Sequence, residues 1–264
     1  MKIINKLIIA ICVVLLGIGI GTYVLSDTAD ETQNNAGQEY GNEAIDPGNE
    51  NYSEDENQER ETGFIISEAL QSDIDAGYLI LVNREFGLER DYSPDDLAGI
   101  RYYASDRTPE ARFMRATAAE AFHNMVEEAR RYGIEFVMTT AFRTYAFQSV
   151  LYNNHVANHG QAAADRFSAR PGHSEHQTGL AVDISAASVN YRLTVAFADT
   201  DEGRWIADNA FRFGFISRYP DGTEDITGFQ FEPWHLRYVG LPAAEYIHTQ
   251  GIVLEEYLYL LENL

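Results

Sequence analysis

Residues Arg170 to Asp183 read RPGHSEHQTGLAVD, a glycine-containing loop that leads into a stretch of alternating residues. The alternation from Leu180 to Ser185 predicts a strand with one apolar face toward a core, and it places Asp183 on the opposite face. An aspartate in the middle of such a strand costs free energy unless it is paired or bound to a metal. His176, on the preceding loop, lies seven residues before Asp183 and is a candidate partner.

A second segment, Phe231 to Tyr238, reads FEPWHLRY and supplies another histidine, His235, with Glu232 three residues before it. Two histidines and one aspartate with an open fourth position are a ligand set typical of catalytic zinc. In such sites a nearby carboxylate that does not bind the metal takes the proton of a water molecule. The residues therefore suggest His176, Asp183 and His235 as metal ligands and Glu232 as the base.

Each of these residues also has an ordinary interpretation. A histidine and an aspartate seven positions apart occur often by chance, so His176 can equally be a loop residue that bonds to the backbone. Glu232 can be a surface carboxylate, and Trp234 can be a core aromatic residue. On the two segments alone, both interpretations stay open.

The patterns elsewhere predict an α+β fold with a small antiparallel sheet flanked by helices, because helices occur in blocks around a few strands without a βαβ rhythm. One long helix is predicted from Thr108, as its N-cap, to Gly133. A second helix is predicted over 145–158, and two more over 242–250 and 253–262. The predicted strands are 134–140, 180–185, 214–219 and 229–237.

The N-terminal part differs in composition from the rest of the 264 residues. Lys2 and Lys6 precede 19 uncharged residues, 7–25, so residues 1–26 are expected to be a membrane anchor with the following chain outside the cell. Cleavage after Ser26 would instead secrete the protein. Residues 27–62, with 12 acidic side chains and one arginine between Asp27 and Glu61, are expected to be a disordered linker. The catalytic domain is then 63–264.

Charge and cysteine content exclude two classes of site. The formal net charge of −22 argues against a nucleic-acid partner, because a polyanion would be repelled. The single cysteine, Cys12, lies inside the apolar N-terminal run, so the rest of the chain can form neither a disulfide nor a thiolate metal site. Any metal must be held by His, Asp and Glu.

The motifs resemble those of a known family. Pro171 to Asp183 resembles the motif S-E-H-Q-T-G-L-A-x-D of the VanY family of D-alanyl-D-alanine carboxypeptidases, and Glu232 to His235 resembles its motif E-x-W-H. This family is related to VanX and to the fold of hedgehog signalling domains. The likeness runs from about Leu79 to the C-terminus and includes further matching segments at 81–84, 91–97, 237–240 and 254–258.

The resemblance implies roles for nine residues. Zinc would be the cofactor, with His176, Asp183 and His235 as its ligands, and Glu232 would be the general base that later protonates the leaving amine. Arg143, in a segment similar to the family's S-G-Y-R-S, would stabilise the developing oxyanion. The residues in contact with substrate would be Ser174, Gln148, Tyr219 and Trp234.

The chain departs from the family pattern around two of these residues. Ala141, Phe142 and Thr144 replace the commoner Gly, Tyr and Ser beside Arg143, which could alter the pocket wall. His173 stands where an aromatic residue is more frequent, and we interpret it as a residue at the pocket edge.

The resemblance implies a monomeric D,D-carboxypeptidase that removes the C-terminal D-alanine from peptidoglycan stem peptides. An L,D-carboxypeptidase that acts on tetrapeptide stems is the nearest alternative. An endopeptidase is disfavoured, because the residues expected to bind a terminal carboxylate imply an exopeptidase. A zinc-containing wall-binding module without activity is the alternative from another class, although such a module could lose Glu232 or Arg143 and this chain keeps both.

Overall fold

The computed structural model describes residues 66–105 and 109–263. Residues 1–65, which include the predicted anchor (1–26) and the predicted linker (27–62), lie outside the described residues, so both stay predictions. Within the described part of the chain, no helix combines the length and the apolar character needed to cross a membrane.

The fold is α+β, as expected, with eight helices and six strands among the described residues. The strands are β1 Leu97–Gly99, β2 Phe113–Arg115, β3 Val137–Thr140, β4 Ala181–Ser185, β5 Phe215–Ser217 and β6 His235–Tyr238. The helices are α1 Glu68–Asp75, α2 Ala116–Arg131, α3 Tyr145–His159, α4 Gln161–Phe167, α5 Asp201–Asn209, α6 Glu224–Thr227, α7 Leu241–Gln250 and α8 Leu254–Glu262. Short 3-10 turns at Pro109–Ala111, Glu175–Thr178, Ala187–Val189, Val195–Asp199 and Ala210–Phe213 join several of them.

Four strands form an antiparallel sheet in the order β3-β4-β6-β5, and β1 pairs with β2 in a separate ribbon. The register of the central pair sets Asp183 on β4 directly opposite His235 on β6. On its other side Asp183 pairs with Thr140, at the end of β3. The hydrogen-bond ladder therefore brings together two residues that are far apart in the chain.

Helix α2 covers one face of this sheet. Its buried side chains, which include Phe122, Met125 and Val126, belong to the same core cluster as Leu180, Val182 and Ile184 of the β4 segment. These three residues face the core as their alternation predicted, because a strand sends successive side chains to opposite faces. Helices α7 and α8 pack in a second apolar cluster.

The predicted single helix over 108–133 is wrong in its first third. The helix begins only at Ala116; Pro109–Ala111 form a 3-10 turn, and Phe113–Arg115 form strand β2. The competing interaction is tertiary: β2 pairs with β1, and the carbonyl of Phe113 also accepts a hydrogen bond from the backbone N–H of Phe142 at 2.9 Å. The hydrogen bonds on both sides of β2 outweigh the helix-favouring residues at the start of the predicted helix.

Candidate metal centre and active site

His176, Asp183 and His235 come together in the interior. One ligand atom from each lies within 4.8 Å of the others, and all three side chains are buried. The Nε2 atom of His176 is 3.3 Å from Oδ2 of Asp183, and Nδ1 of His235 is 2.9 Å from Oδ1 of the same carboxylate. A 3-10 turn carries His176, whereas Asp183 and His235 lie on paired strands.

The second nitrogen of each imidazole has its own partner. Nδ1 of His176 is 2.7 Å from the carbonyl oxygen of Ala141, and Nε2 of His235 is 3.2 Å from Oε2 of Glu175. Each imidazole ring thus has a hydrogen-bond partner on one nitrogen and places its other nitrogen next to Asp183. Metal-binding histidines are supported in this way, and two imidazoles with one carboxylate suit zinc. The residues present therefore fit a zinc ion.

Without a cation, the pKa values of His176, Asp183 and His235 depend on one another. Burial opposes protonation of His235, but hydrogen bonds to Asp183 and Glu175 outweigh it and raise the pKa of His235 to about 9. Burial, together with the positive charge of Arg143, lowers the pKa of His176 to about 4. Burial also raises the pKa of Asp183, yet the two histidines prevail and hold that pKa well below its usual range. A metal needs neutral imidazoles, so its binding competes with the proton on His235.

Glu232 lies in the turn before β6 and lines the same cavity as the three clustered residues. Its backbone N–H donates to the carbonyl of Tyr219 at 3.1 Å, and its own carbonyl accepts from the N–H of His235 at 3.0 Å. Burial raises the pKa of the Glu232 carboxyl to about 7, with a further rise from Asp183 and opposing effects from His235 and Arg143. A carboxylate with such a pKa can both accept and return a proton near neutral pH.

Arg143 follows β3 in the chain and lines the same cavity. Its Nε atom is buried and has no hydrogen-bond partner among the described residues. Burial lowers the pKa of this guanidinium, although Asp183 and Glu232 oppose that shift. A buried donor without a partner costs free energy, which is offset when a ligand supplies an acceptor.

The four predicted substrate contacts lie on the wall of this cavity, which has a volume of about 240 Å³. Gln148 donates from Nε2 to the carbonyl of Ala169 at 2.7 Å, whereas its buried Oε1 has no partner among the described residues. The ring of Tyr219 is 4.9 Å from that of His235. The other two predicted substrate contacts, Ser174 and Trp234, line the cavity as well. All nine predicted site residues therefore lie on the wall of one cavity.

His173 does not line this cavity. It lines an adjoining cavity of about 260 Å³, and its Nδ1 is 2.9 Å from the carbonyl oxygen of Asn83. The two cavities share Ser168, Ala169 and Phe229 in their walls, so His173 lies at the margin of the site.

Sequence reasoning missed Glu175, Arg218 and Arg237, which are all fully buried beside the centre. Burial opposes ionisation of Glu175, but the two guanidinium groups outweigh it and hold its pKa below the usual range. A signal was available in the chain: Arg237 lies two residues after His235 and so shares its face of β6, where a charged side chain requires a buried partner.

Comparison with known proteins places this site in a family. The family model for VanY, described as D-alanyl-D-alanine carboxypeptidase, matches residues 111–241, which include the whole His176–Asp183–His235 cluster. A D-alanyl-D-alanine carboxypeptidase of Enterococcus faecalis is 34% identical over 197 residues, covering 71% of this chain and 68% of that protein.

The chain belongs to the VanY family.

Other similar proteins agree with this membership. The putative carboxypeptidase YodJ of Bacillus subtilis is 42% identical over 181 residues, which are 68% of this chain and 66% of YodJ, just under two thirds of its length. The solved structure of the LdcB LD-carboxypeptidase is 42% identical with a TM-score of 0.66 and covers 69% of this chain and 86% of that chain. A mutant of the vancomycin-resistance D,D-pentapeptidase VanY in complex with Zn(II) is 35% identical with a TM-score of 0.58, covering 69% and 98%. The family resemblance and the expected zinc cofactor are thereby confirmed.

Proposed function

We propose that this protein is a zinc-dependent D,D-carboxypeptidase that removes the C-terminal D-alanine from peptidoglycan stem peptides. The observation that carries the proposal is the position of Glu232 and Arg143 in the same cavity as the His176–Asp183–His235 cluster. Hydrolysis of a peptide by a metal enzyme requires three things: ligands for the metal, a carboxylate that can exchange a proton, and a donor for the developing negative charge.

His176, Asp183 and His235 would hold the zinc ion. When bound there, zinc supplies Lewis acidity that polarises the peptide carbonyl and makes water a better nucleophile. Proton transfer and stabilisation of the oxyanion would be carried out by side chains of this protein.

Glu232 would move the protons. Its carboxylate takes a proton from the attacking water, and the resulting acid gives that proton to the nitrogen of the departing D-alanine. Burial favours this exchange, because it raises the pKa of Glu232 above its ordinary range and so makes the protonated form a more accessible state during the reaction.

Arg143 would stabilise negative charge on the carbonyl oxygen as the tetrahedral intermediate forms. Its buried donor is in place before substrate arrives, so little reorganisation is needed at the moment of reaction. The peptide oxygen would supply the missing acceptor.

Ser174 and Gln148 would bind the terminal carboxylate, which makes the enzyme an exopeptidase. The amide of Gln148 has two N–H donors, and only one of them is needed for the bond to Ala169. The second can donate to a substrate oxygen. Tyr219 and Trp234 would shape the apolar part of the wall.

A second candidate is L,D-carboxypeptidase activity on tetrapeptide stems. It is favoured by the 42% identity to the LdcB LD-carboxypeptidase, compared with 35% to the D,D-pentapeptidase. Both activities release D-alanine and would use the same metal, base and arginine, so they differ only in the residue that precedes the cleaved bond.

We also propose that the enzyme acts outside the cell membrane, held there by residues 1–26 through the acidic segment 27–62. The support is the sequence itself: two lysines, then 19 uncharged residues, then a strongly acidic stretch. We propose that it acts as a monomer.

The test is release of D-alanine from synthetic pentapeptide and tetrapeptide stems by the purified protein, with and without chelator. Release from the pentapeptide that chelator abolishes and zinc restores supports the D,D assignment. Release only from the tetrapeptide replaces it with the L,D assignment. A protein that contains zinc but releases nothing from either stem would contradict both. The Glu232→Gln variant is the control for contaminating peptidase.

A further inference from the structure

A buried ion-pair network lies directly behind the metal centre. Oε1 of Glu175 accepts hydrogen bonds from Nε of Arg218 at 2.7 Å and from Nη1 of Arg237 at 2.6 Å. The side chains of all three residues are fully buried. The other oxygen of Glu175, Oε2, is 3.2 Å from Nε2 of His235. Glu175 thus joins two arginines to one proposed zinc ligand.

The network fixes the position of the Glu175 carboxylate, because its arginines are held elsewhere as well. Nη2 of Arg237 donates to the backbone carbonyls of Tyr78 and Ile80, at 3.0 and 2.7 Å. Arg218 donates from Nη1 and Nη2 to the carboxylate of Glu255, at 2.9 and 2.6 Å. Two cations and two anions balance in charge, which such a buried cluster requires.

The position of Glu175 determines which nitrogen of His235 faces the metal site. A carboxylate only accepts, so Oε2 selects the tautomer of a neutral His235 that carries its proton on Nε2. In the zinc-bound protein the lone pair would then be on Nδ1, the atom that in the metal-free protein is protonated and lies 2.9 Å from Asp183. A ring without this partner would be free to carry the proton on Nδ1, where a metal could not bind.

Glu255 extends the network to the C-terminal helix. It lies in the first turn of α8, after every proposed ligand in the chain, and is linked to the centre through Arg218 and Glu175. The first turn of α8 is therefore connected to His235 by three successive charge-assisted contacts.

We propose that Glu175 is a positioning residue for the metal centre, and that Glu255 of α8 supports it through Arg218. The inference rests on the proposed zinc site but not on cleavage of any particular peptide. It assigns the C-terminal helix a part in metal binding in addition to its packing role.

The experiment measures zinc affinity of the full-length chain by competition with a chromophoric chelator. Glu175→Gln should weaken zinc binding by about 10–100-fold, the usual effect of removing the partner of a metal-binding histidine. The glutamine side chain must turn its N–H₂ group either toward the two arginines or toward Nε2 of His235. Both arrangements are unfavourable, because each sets a donor against another donor. Glu255→Gln should weaken binding by a smaller factor. Glu245→Gln, on the exposed side of α7, is the matched control and should leave it unchanged.

Two further readouts separate positioning from simple destabilisation. Nitrogen-15 spectra of the zinc-loaded protein should show His235 with its proton on Nε2 in the Glu245→Gln control, and a shifted Nε2 resonance in Glu255→Gln. The visible spectrum of the cobalt-substituted protein should shift for Glu255→Gln at a temperature where that variant is fully folded. Because Glu175→Gln can fail to fold, Glu255→Gln keeps the inference testable.

The inference is overturned if folded Glu255→Gln and Glu175→Gln proteins bind zinc as tightly as the control does. Loss of thermal stability with unchanged zinc affinity and an unchanged cobalt spectrum has the same meaning, since the network is then only structural. If the unaltered protein binds zinc but cleaves no stem peptide, the proposed function fails and this inference stands.

Discussion

Replacement of Arg143 by methionine should separate catalysis from stability. The variant removes the donor that we propose stabilises the reacting carbonyl, and the loss of one such donor typically lowers kcat by about 10²–10³-fold, or roughly 2.7–4 kcal/mol. KM should change little, because the interaction develops mainly in the transition state. Zinc content should be unchanged, since Arg143 is not among the clustered ligands.

The same substitution should make the zinc-loaded protein more stable. The Nε atom of Arg143 is buried without a partner among the described residues, and such a group costs about 1–3 kcal/mol. For a domain of this size each kcal/mol shifts Tm by about 2–4 °C. The gain should be clearest with zinc present, because in the zinc-free protein the charges of Asp183 and Glu232 attract the guanidinium.

The assay combines steady-state kinetics on a stem peptide, metal analysis and a thermal melt of the zinc-loaded protein. Arg131→Met, at a highly exposed position on α2, is the matched control and should leave all three unchanged. An Arg143→Met protein that loses zinc and Tm together with its activity would refute the reasoning, since Arg143 would then be a structural residue. Full activity in the variant would refute the catalytic assignment itself.

Five further outcomes can be measured. Glu232→Gln should lower kcat by about 10²–10⁴-fold with zinc retained. In the unaltered enzyme, kcat should fall on acidification, because Glu232 takes up a proton. The pKa of about 7 for Glu232 is the upper limit for the midpoint of this fall, because a bound cation lowers the pKa of a nearby carboxyl. Zinc at about 1,000 times its Kd should stabilise the metal-free protein by roughly 4 kcal/mol in urea unfolding. Gly214→Ala should destabilise by more than Gly133→Ala: both have positive φ, at 80° and 74°, but only the first new Cβ would lie 2.7 Å from the Tyr238 ring. Phe122→Ala, at a fully buried position, should cost about 3–5 kcal/mol of unfolding free energy, with little change in zinc stoichiometry.

The sequence was sufficient to predict much of the sheet and the candidate site, because these depend on short patterns. The alternation of Leu180, Val182 and Ile184 identified β4 and its core face, and two compact motifs contained the three clustered residues and Glu232. Helix α3, with Thr144 accepting a hydrogen bond from the N–H of Phe147 as its N-cap, also followed from local residues.

The remainder depends on contacts between distant segments. Strand β2 replaces the predicted first turns of a helix because β1 is available to pair with it. The opposition of Asp183 and His235 is a matter of strand register, which no local pattern encodes. The Glu175 network escaped prediction for the same reason, since its members lie 43 and 62 residues apart in the chain.

The strand register described above also divides the site into two parts with different freedom to change. Asp183 and His235 are held by the backbone ladder of β4 and β6, so a shift in either would disturb the pairing of the whole sheet. Gln148 instead projects from helix α3, which carries none of the three clustered residues, so a substitution there can change the cavity wall without moving them. A lineage that builds its active site in this way can alter which peptide it accepts while the metal chemistry stays constant.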